Sequence, residues 1–173
     1  MCAYNVRPMA ERDIESIIAI DALVTGERGP DRAGFWRGLL SLHVPEGPPG
    51  DAEGEAPPAV PHHLCHVAEP GGRETSGVVG FIIGDVQSWQ FGLPRHGRIV
   101  TIGVHPDHRR NGVARRLAEA LLASFNRMGL PFVHCLVRPG DALGDFFAAM
   151  GFTSPGFTIL ELPLKRGRAR REP

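Results

Sequence analysis

The sequence predicts an α/β domain whose elements run β-α-α-β-β-β-α-β-α-β, and three observations carry that prediction. Apolar residues recur at every fourth position through Val113, Leu117, Leu121 and Phe125, the spacing of one helix face. The run RIVTIGV over 98–104 is rich in branched residues that suit strands. Two further β-rich runs, His62–Ala68 and Gly77–Val86, flank EPGGRETS, a turn-forming segment that predicts an antiparallel hairpin.

Taken in order, Val6–Pro8 reads as a first strand. Glu11 and Asp13 follow in the first turn of a helix, where acids complement the positive dipole end. Ile14, Ile17, Ile18 and Ala22 form its apolar face, leaving Glu15 and Asp21 wet. A second helix is expected over 31–42, with Phe35, Trp36, Leu39 and Leu40 as its buried side. Next comes VPEGPPGDAEGEAPPAV, whose prolines, glycines and acids build no packed element, so 44–61 is read as a flexible insertion. After the hairpin, Arg98–Val104 is expected as a central strand that ends at His105-Pro106. The helix beginning at Val113 stops near Gly129-Leu130-Pro131. Phe132–Val137 reads as a strand, Asp141 as the cap of a short helix running to Met150, and Phe157–Leu164 as a last strand. The tail KRGRARREP sets Lys165, Arg166, Arg168, Arg170 and Arg171 against Glu172 with nothing apolar to pack, so 165–173 is expected to be disordered. Residues 1–164 are accordingly read as one domain.

Composition narrows the function. The 173 residues include 42% hydrophobic ones, enough for a packed core, and 19 basic residues balance 19 acidic ones. No global field favours nucleic acid or an anionic membrane, so an anion site has to be local. No apolar stretch approaches a bilayer span, and MCAYNVRPMAERD lacks the charged and apolar regions of a secretory leader, so a cytoplasmic protein is expected. Cys2, Cys65 and Cys135 make neither a disulfide framework nor a zinc site. His62 and His66 have metal-like spacing only in a helix, and in a strand they stand too far apart, so no metal is expected.

The segment IGVHPDHRRNGVARRLAEALL joins a strand, a basic loop and a helix start. A helix amino end has unpaired N–H groups and partial positive charge, and small residues at Gly112 and Ala114 let a pyrophosphate approach the main chain. Arg109 and Arg110 add full charges. The alternative is that Gly112 and Ala114 only allow close helix–sheet packing and that the arginines are a solvated face. A dinucleotide-binding turn is not expected, because GxGxxG is missing and the strand order lacks repeated βαβ units.

Arg109-Arg110-Asn111-Gly112-Val113-Ala114, in this strand–loop–helix setting, resembles the acetyl-CoA motif of the GCN5-related N-acetyltransferases. VRPMAERDIESIIAID is similar to that family's first strand and helix, GVVGFIIGD to its third strand, and FFAAMGF to its last helix and the strand after it. The resemblance implies a mixed, mostly antiparallel sheet with helices on both faces. It implies acetyl-CoA as donor, with pantetheine lying like an added strand against Ile102, Gly103 and Val104. A main-chain N–H there polarises the thioester carbonyl. Pyrophosphate falls on the N–H groups of Arg109, Arg110, Asn111, Gly112, Val113, Ala114 and Arg115. Dimerisation through the last strand, common in the family, is a further expectation.

Two departures affect the chemistry. The family's fourth-strand acid corresponds to Val100, and the Tyr that protonates the departing thiolate corresponds to Phe147, four residues before Gly151-Phe152. The family's Asn near the last helix corresponds to Gly140 or Asp141, and Asp141 is a candidate pantetheine contact, with Phe147 beside the cofactor. Direct attack by an amine still needs mostly alignment. Asp85 and His134 are the candidate substitute bases, with Cys135 on the opposite face from His134. Asp21, Glu27 and Trp89 are candidate contacts for a cationic amine. The expected activity is transfer of an acetyl group to a small-molecule or protein primary amine. The alternative is a binding module of the same fold that takes acyl-CoA without turnover.

Overall fold

The computed structural model describes residues 4–26, 30–41, 63–71, 77–88, 92–154, 156 and 158–162. The expected insertion at 44–61, the tail at 165–173, Glu27 and Trp89 lie outside them. Packing divides the chain into a first unit, up to Leu136, and a second unit, from Val137.

The first unit carries β1 (Tyr4–Pro8), α1 (Ile14–Thr25), α2 (Pro30–Ser41), β2 (His63–Pro70), β3 (Gly80–Gln87), β4 (His96–Val104), α3 (Val113–Arg127) and β5 (Val133–Cys135). The strands lie in the order β1-β2-β3-β4-β5. The first four pair antiparallel and β5 pairs parallel to β4, so the sheet is mixed and mostly antiparallel. The expected hairpin of β2 and β3 is present, with His63 opposite Asp85 and Ala68 opposite Gly80. β4 is an interior strand, while β3 takes the middle of the sheet.

Helices cover both faces. Along β3, alternation sends Phe81, Ile83 and Asp85 to one face and Gly80, Ile82, Gly84 and Val86 to the other. On the first face, Phe81 and Ile83 pack with Ile17 and Ile20 of α1, Trp36 of α2, and Cys65 and Val67. Each of the larger side chains contributes about 1.5–3 kcal/mol by leaving water. On the second face lies α3, whose Val113, Leu117, Leu121 and Phe125 are all buried, as their spacing predicts. Glycines make room for it. A Cβ on Gly84 would stand 2.6 Å from Phe125 Cζ, and one on Gly97 would stand 2.8 Å from Phe125 Cδ2.

Several expectations need correction. Asp21 is not wet: at 2% exposure it accepts a hydrogen bond from Trp36 Nε1 at 2.7 Å, so the acid satisfies a buried indole. Ile20, absent from the expected apolar stripe, is buried beside it, whereas Phe35 is 56% exposed. The side chain of Leu40 lies outside the described residues. Asp13 does more than meet a dipole. It accepts from Arg7 Nη1 and Nη2 at 2.7 and 2.9 Å and from the Ala10 N–H at 2.8 Å, tying β1 to the start of the first helix through a short 3-10 turn at Glu11–Asp13. Burial pushes that carboxyl up, but the hydrogen bonds from Arg7 and Ala10 outweigh it and hold the group below the usual range.

The second unit holds α4 (Ala142–Ala149), capped as expected by Asp141, whose carboxylate accepts from the Leu143 N–H at 3.1 Å. The last strand expected at Phe157–Leu164 is not formed over 158–162. Ile159, Leu160 and Leu162 there are 67, 90 and 81% exposed, and a β-prone run makes no strand without a ladder partner or a face to bury. Among the described residues no helix is long and apolar enough to cross a membrane.

Candidate functional site

The site is built along β4 and into α3. β5 pairs with β4 at Gly97, Arg98 and Ile99 and goes no further. From Val100 to Val104, β4 pairs with β3 alone, leaving its other edge without a strand neighbour among the described residues. The two strands therefore part within β4, at the point where the β3–β4 register shifts. Ile83 faces Thr101 while Gly84 faces Ile99, which leaves Val100 as the extra residue of a β-bulge, 37% exposed. Bulges re-aim the chain, and this one sits where the ladder opens.

Beyond Val104 the chain makes a 3-10 turn at Pro106–His108 and reaches α3 through two left-handed residues, Arg110 at φ 60° and Gly112 at φ 78°. Nothing lies within 4 Å of the place a Gly112 Cβ would take, so backbone conformation and not packing asks for glycine there. The first helical bond runs from the Arg116 N–H to Gly112 O at 3.1 Å. The N–H groups of Val113, Ala114 and Arg115 are thus left without intrahelical acceptors, no side chain caps the end, and the first turn contains no acid. This concave run of N–H groups with a positive helix end fits an anion such as a pyrophosphate.

Other contacts brace the loop. The His105 N–H donates to Val79 O at 2.8 Å, Tyr4 Oη lies 3.1 Å from His108 Nδ1, and Arg116 Nη1 donates to Tyr4 O at 3.4 Å. The Arg109 N–H already donates to Pro106 O at 3.2 Å, and its Nε reaches Val104 O at 3.3 Å. The available N–H groups therefore begin after Arg109.

Ile102, Gly103 and Val104 lie in the half of β4 that pairs with β3 and has no described strand on its other edge, with Gly103 buried. A Cβ there would stand 2.5 Å from Phe81 Cε1, so the glycine makes room for a core ring.

The candidate bases lie at the paired end. Asp85 sits within β3 opposite Arg98, and both its oxygens are engaged, Oδ1 by Arg98 Nε at 3.0 Å and Oδ2 by Nη2 at 2.5 Å. This ion pair holds Asp85 as the partner of a guanidinium. His134 lies opposite Arg98 on β5, its ring 4.7 Å from that of His96 and 4.9 Å from that of Phe132. Burial, and then the neighbouring His96, push His134 below its ordinary value of 6.5, which favours the neutral ring. Cys135 lies opposite Ile99, and burial pushes its thiol up. His96, missed in the sequence, is 1% exposed and hydrogen-bonded through Nδ1 to Pro94 O at 2.8 Å. Only its position at a strand start, two residues after a proline, pointed to it.

The remaining candidates are dispersed. Asp21 serves Trp36, while Asp141 and Phe147 belong to the second unit. There Phe147 is buried and packs its ring 5.0 Å from those of Phe146 and Phe152. Among the described residues no cluster of three or more His, Cys, Asp or Glu can hold a metal.

The model of the acetyltransferase (GNAT) family matches residues 36–152, which run from within α2 through the whole loop to beyond α4. The chain belongs to the GNAT acetyltransferase family. No curated protein is similar enough in sequence to count as a relative. Among solved structures, aminoglycoside antibiotic 6'-N-acetyltransferase AAC(6')-Ih from Acinetobacter baumannii superposes with a TM-score of 0.67 at 15% identity, over 95% of this chain and 100% of its own. The aminoglycoside acetyltransferase AAC(6')-Iy, in complex with a bisubstrate analogue containing CoA, gives 0.67 at 15% identity, over 94% and 99%. A ribosomal-protein-alanine N-acetyltransferase from Brucella melitensis gives 0.64 at 17%, over 94% and 100%. These likenesses establish the GNAT fold.

Proposed function

We propose that this GNAT-family chain binds acetyl-CoA along the edge of β4 that faces away from β3 and transfers the acetyl group to a primary amine by direct attack. One observation supports this above the rest: the half of β4 whose edge away from β3 has no strand neighbour among the described residues runs into an uncapped helix end through left-handed Arg110 and Gly112. Pantetheine matches an unfilled strand position beside Ile102, Gly103 and Val104, and pyrophosphate matches the N–H groups from Arg110 to Arg115. Bound there, acetyl-CoA supplies an activated thioester. The amine nitrogen forms the new C–N bond as the C–S bond breaks and the thiolate departs, and the ammonium proton passes to a base or to water.

The chain's own residues contribute mainly alignment. A β4 N–H polarises the carbonyl, and the neutral ring of His134 is the base candidate on the paired side. Val100 at the bulge carries no acid–base group, and the buried Phe147 ring carries none either. Such groups typically contribute about 100- to 10,000-fold, so slow turnover is expected. The same two residues favour the second reading, a module that takes acyl-CoA without transfer.

Calorimetric titration of acetyl-CoA into wild type and Gly112→Glu tests the reading. Micromolar binding that disappears in a variant with unchanged circular dichroism supports it, and absence of binding by the wild type overturns it. A screen of amines for acceptor-dependent thiol release then separates transfer from binding alone.

A further inference from the structure

The end of β4 that pairs with β5 has a feature that donor binding does not use. On the face covered by α1 and α2, His63, Asp85, Arg98 and His134 form one cross-strand row over β2, β3, β4 and β5. Within it the Asp85 side chain is 3% exposed while that of Arg98 is 46% exposed. The ion pair thus turns its anion inward and its cation outward. An apolar pair of similar volume is often at least as stable as a buried ion pair, so stability does not explain this choice. Nε and Nη2 are both held by Asp85, which fixes the plane of the fork, and Nη1 has no acceptor among the described residues. Beside it the His134 ring, favoured in its neutral form, adds no second charge.

We propose that Arg98 is a specificity residue that binds an anionic group on the acceptor, so that the preferred substrates are amines carrying a carboxylate or a phosphate. The inference rests on the acetyltransferase reading above. Two strand residues, ~7 Å, separate Arg98 from the bulge where the strands part, a span that an acceptor of amino-acid size bridges. Asp85 is then a positioning residue that holds the guanidinium fork and meets no substrate itself. A polycationic amine meets a fixed positive charge at this end of the site.

The test uses the full chain with acetyl-CoA and matched acceptors: α-amino acids against their amides, phosphoethanolamine against ethanolamine, and a polyamine. An anchored charge-assisted hydrogen bond predicts kcat/KM about tenfold or more higher for the anionic member of a pair, carried by KM. Whichever pair shows the larger ratio identifies carboxylate or phosphate. In Asp85→Asn the KM for the anionic acceptor rises and that for its neutral partner does not. In Asp85→Leu/Arg98→Leu, which leaves no buried charge to unfold the chain, the ratio falls to near one. Equal use of amides, preference for the polyamine, or a ratio that survives the double substitution overturns the assignment. Calorimetry separates the two levels. Acetyl-CoA binding without anion preference overturns the Arg98 assignment alone, whereas no acetyl-CoA binding overturns the acetyltransferase reading and this inference with it.

Discussion

The two ends of β4 are built differently. At its start, where β5 pairs with it, the proposed functional groups are side chains: Arg98 on Asp85, and His134 against His96. Towards its end, where β3 is its one strand neighbour among the described residues, the proposed cofactor contacts are main-chain groups, and the missing side chain of Gly103 makes room for Phe81. A site made of side chains is sensitive to which atoms a residue bears. A site made of backbone is sensitive to φ, to bulk and to added charge. Substitutions at the two ends are therefore expected to fail in different ways.

The largest expected effect falls on the side-chain end. Arg98→Leu strands a buried carboxylate and costs about 3 kcal/mol or more in chemical denaturation, most of it recovered when Asp85→Leu is added. A single variant as stable as wild type would show that the pair is not coupled. At the backbone end, Gly112→Glu is expected to weaken acetyl-CoA binding roughly a hundredfold through charge and lost approach. Gly112→Ala costs only about 1–2 kcal/mol of left-handed strain, because its Cβ meets nothing within 4 Å. Comparable affinity losses in the two variants would mean that charge is not the cause.

Between the ends, Gly84→Ala forces a methyl group against Phe125 and Leu121 and is expected to cost about 1–3 kcal/mol, read from the melting midpoint. The smallest effects concern titration. His134, shifted down from 6.5, binds fewer protons folded than unfolded, so its contribution to stability falls as pH drops through 6.5. Asp13, shifted down from 3.8, keeps its contribution above that value and loses it only in stronger acid. Proton NMR of the His134 ring is expected to show a midpoint below 6.5, and a midpoint above it would remove the neutral-base argument. Cys65, whose thiol burial pushes up to about 12, is expected to ignore thiol reagents at pH 8 until the chain unfolds.

How much could be read beforehand follows the same division. α3 was legible because Val113, Leu117, Leu121 and Phe125 repeat one period over a long segment. The loop was legible because Arg109 to Ala114 stand in fixed order on contiguous chain. The bulge was not, since an extra residue in a run of branched side chains leaves no mark until the partner strand is known. Nor was the Asp85–Arg98 pair, whose members lie 13 positions apart and meet only through a register. Asp21 was misjudged for a related reason. A carboxylate on a helix reads as wet unless the indole that buries it, from the next helix, is also in view. The strand expected after α4 is not formed over 158–162 because β propensity describes fit to a neighbour and says nothing about whether one is there.

The bulge at Val100 also determines which changes of length β4 can survive. In a ladder where side chains alternate, losing or gaining one residue turns everything on one side of the change inside out. Val100 is the supernumerary residue, so its removal leaves Ile99 beneath α3 and Thr101 opposite Ile83 in an unbroken alternation. A one-residue deletion at that point is expected to give a straighter sheet of ordinary stability whose strands no longer part. The same deletion at Ile102 would carry core residues into water. Parity thus locates the one place in this strand where evolution can add or take away the opening between strands without rewriting the core.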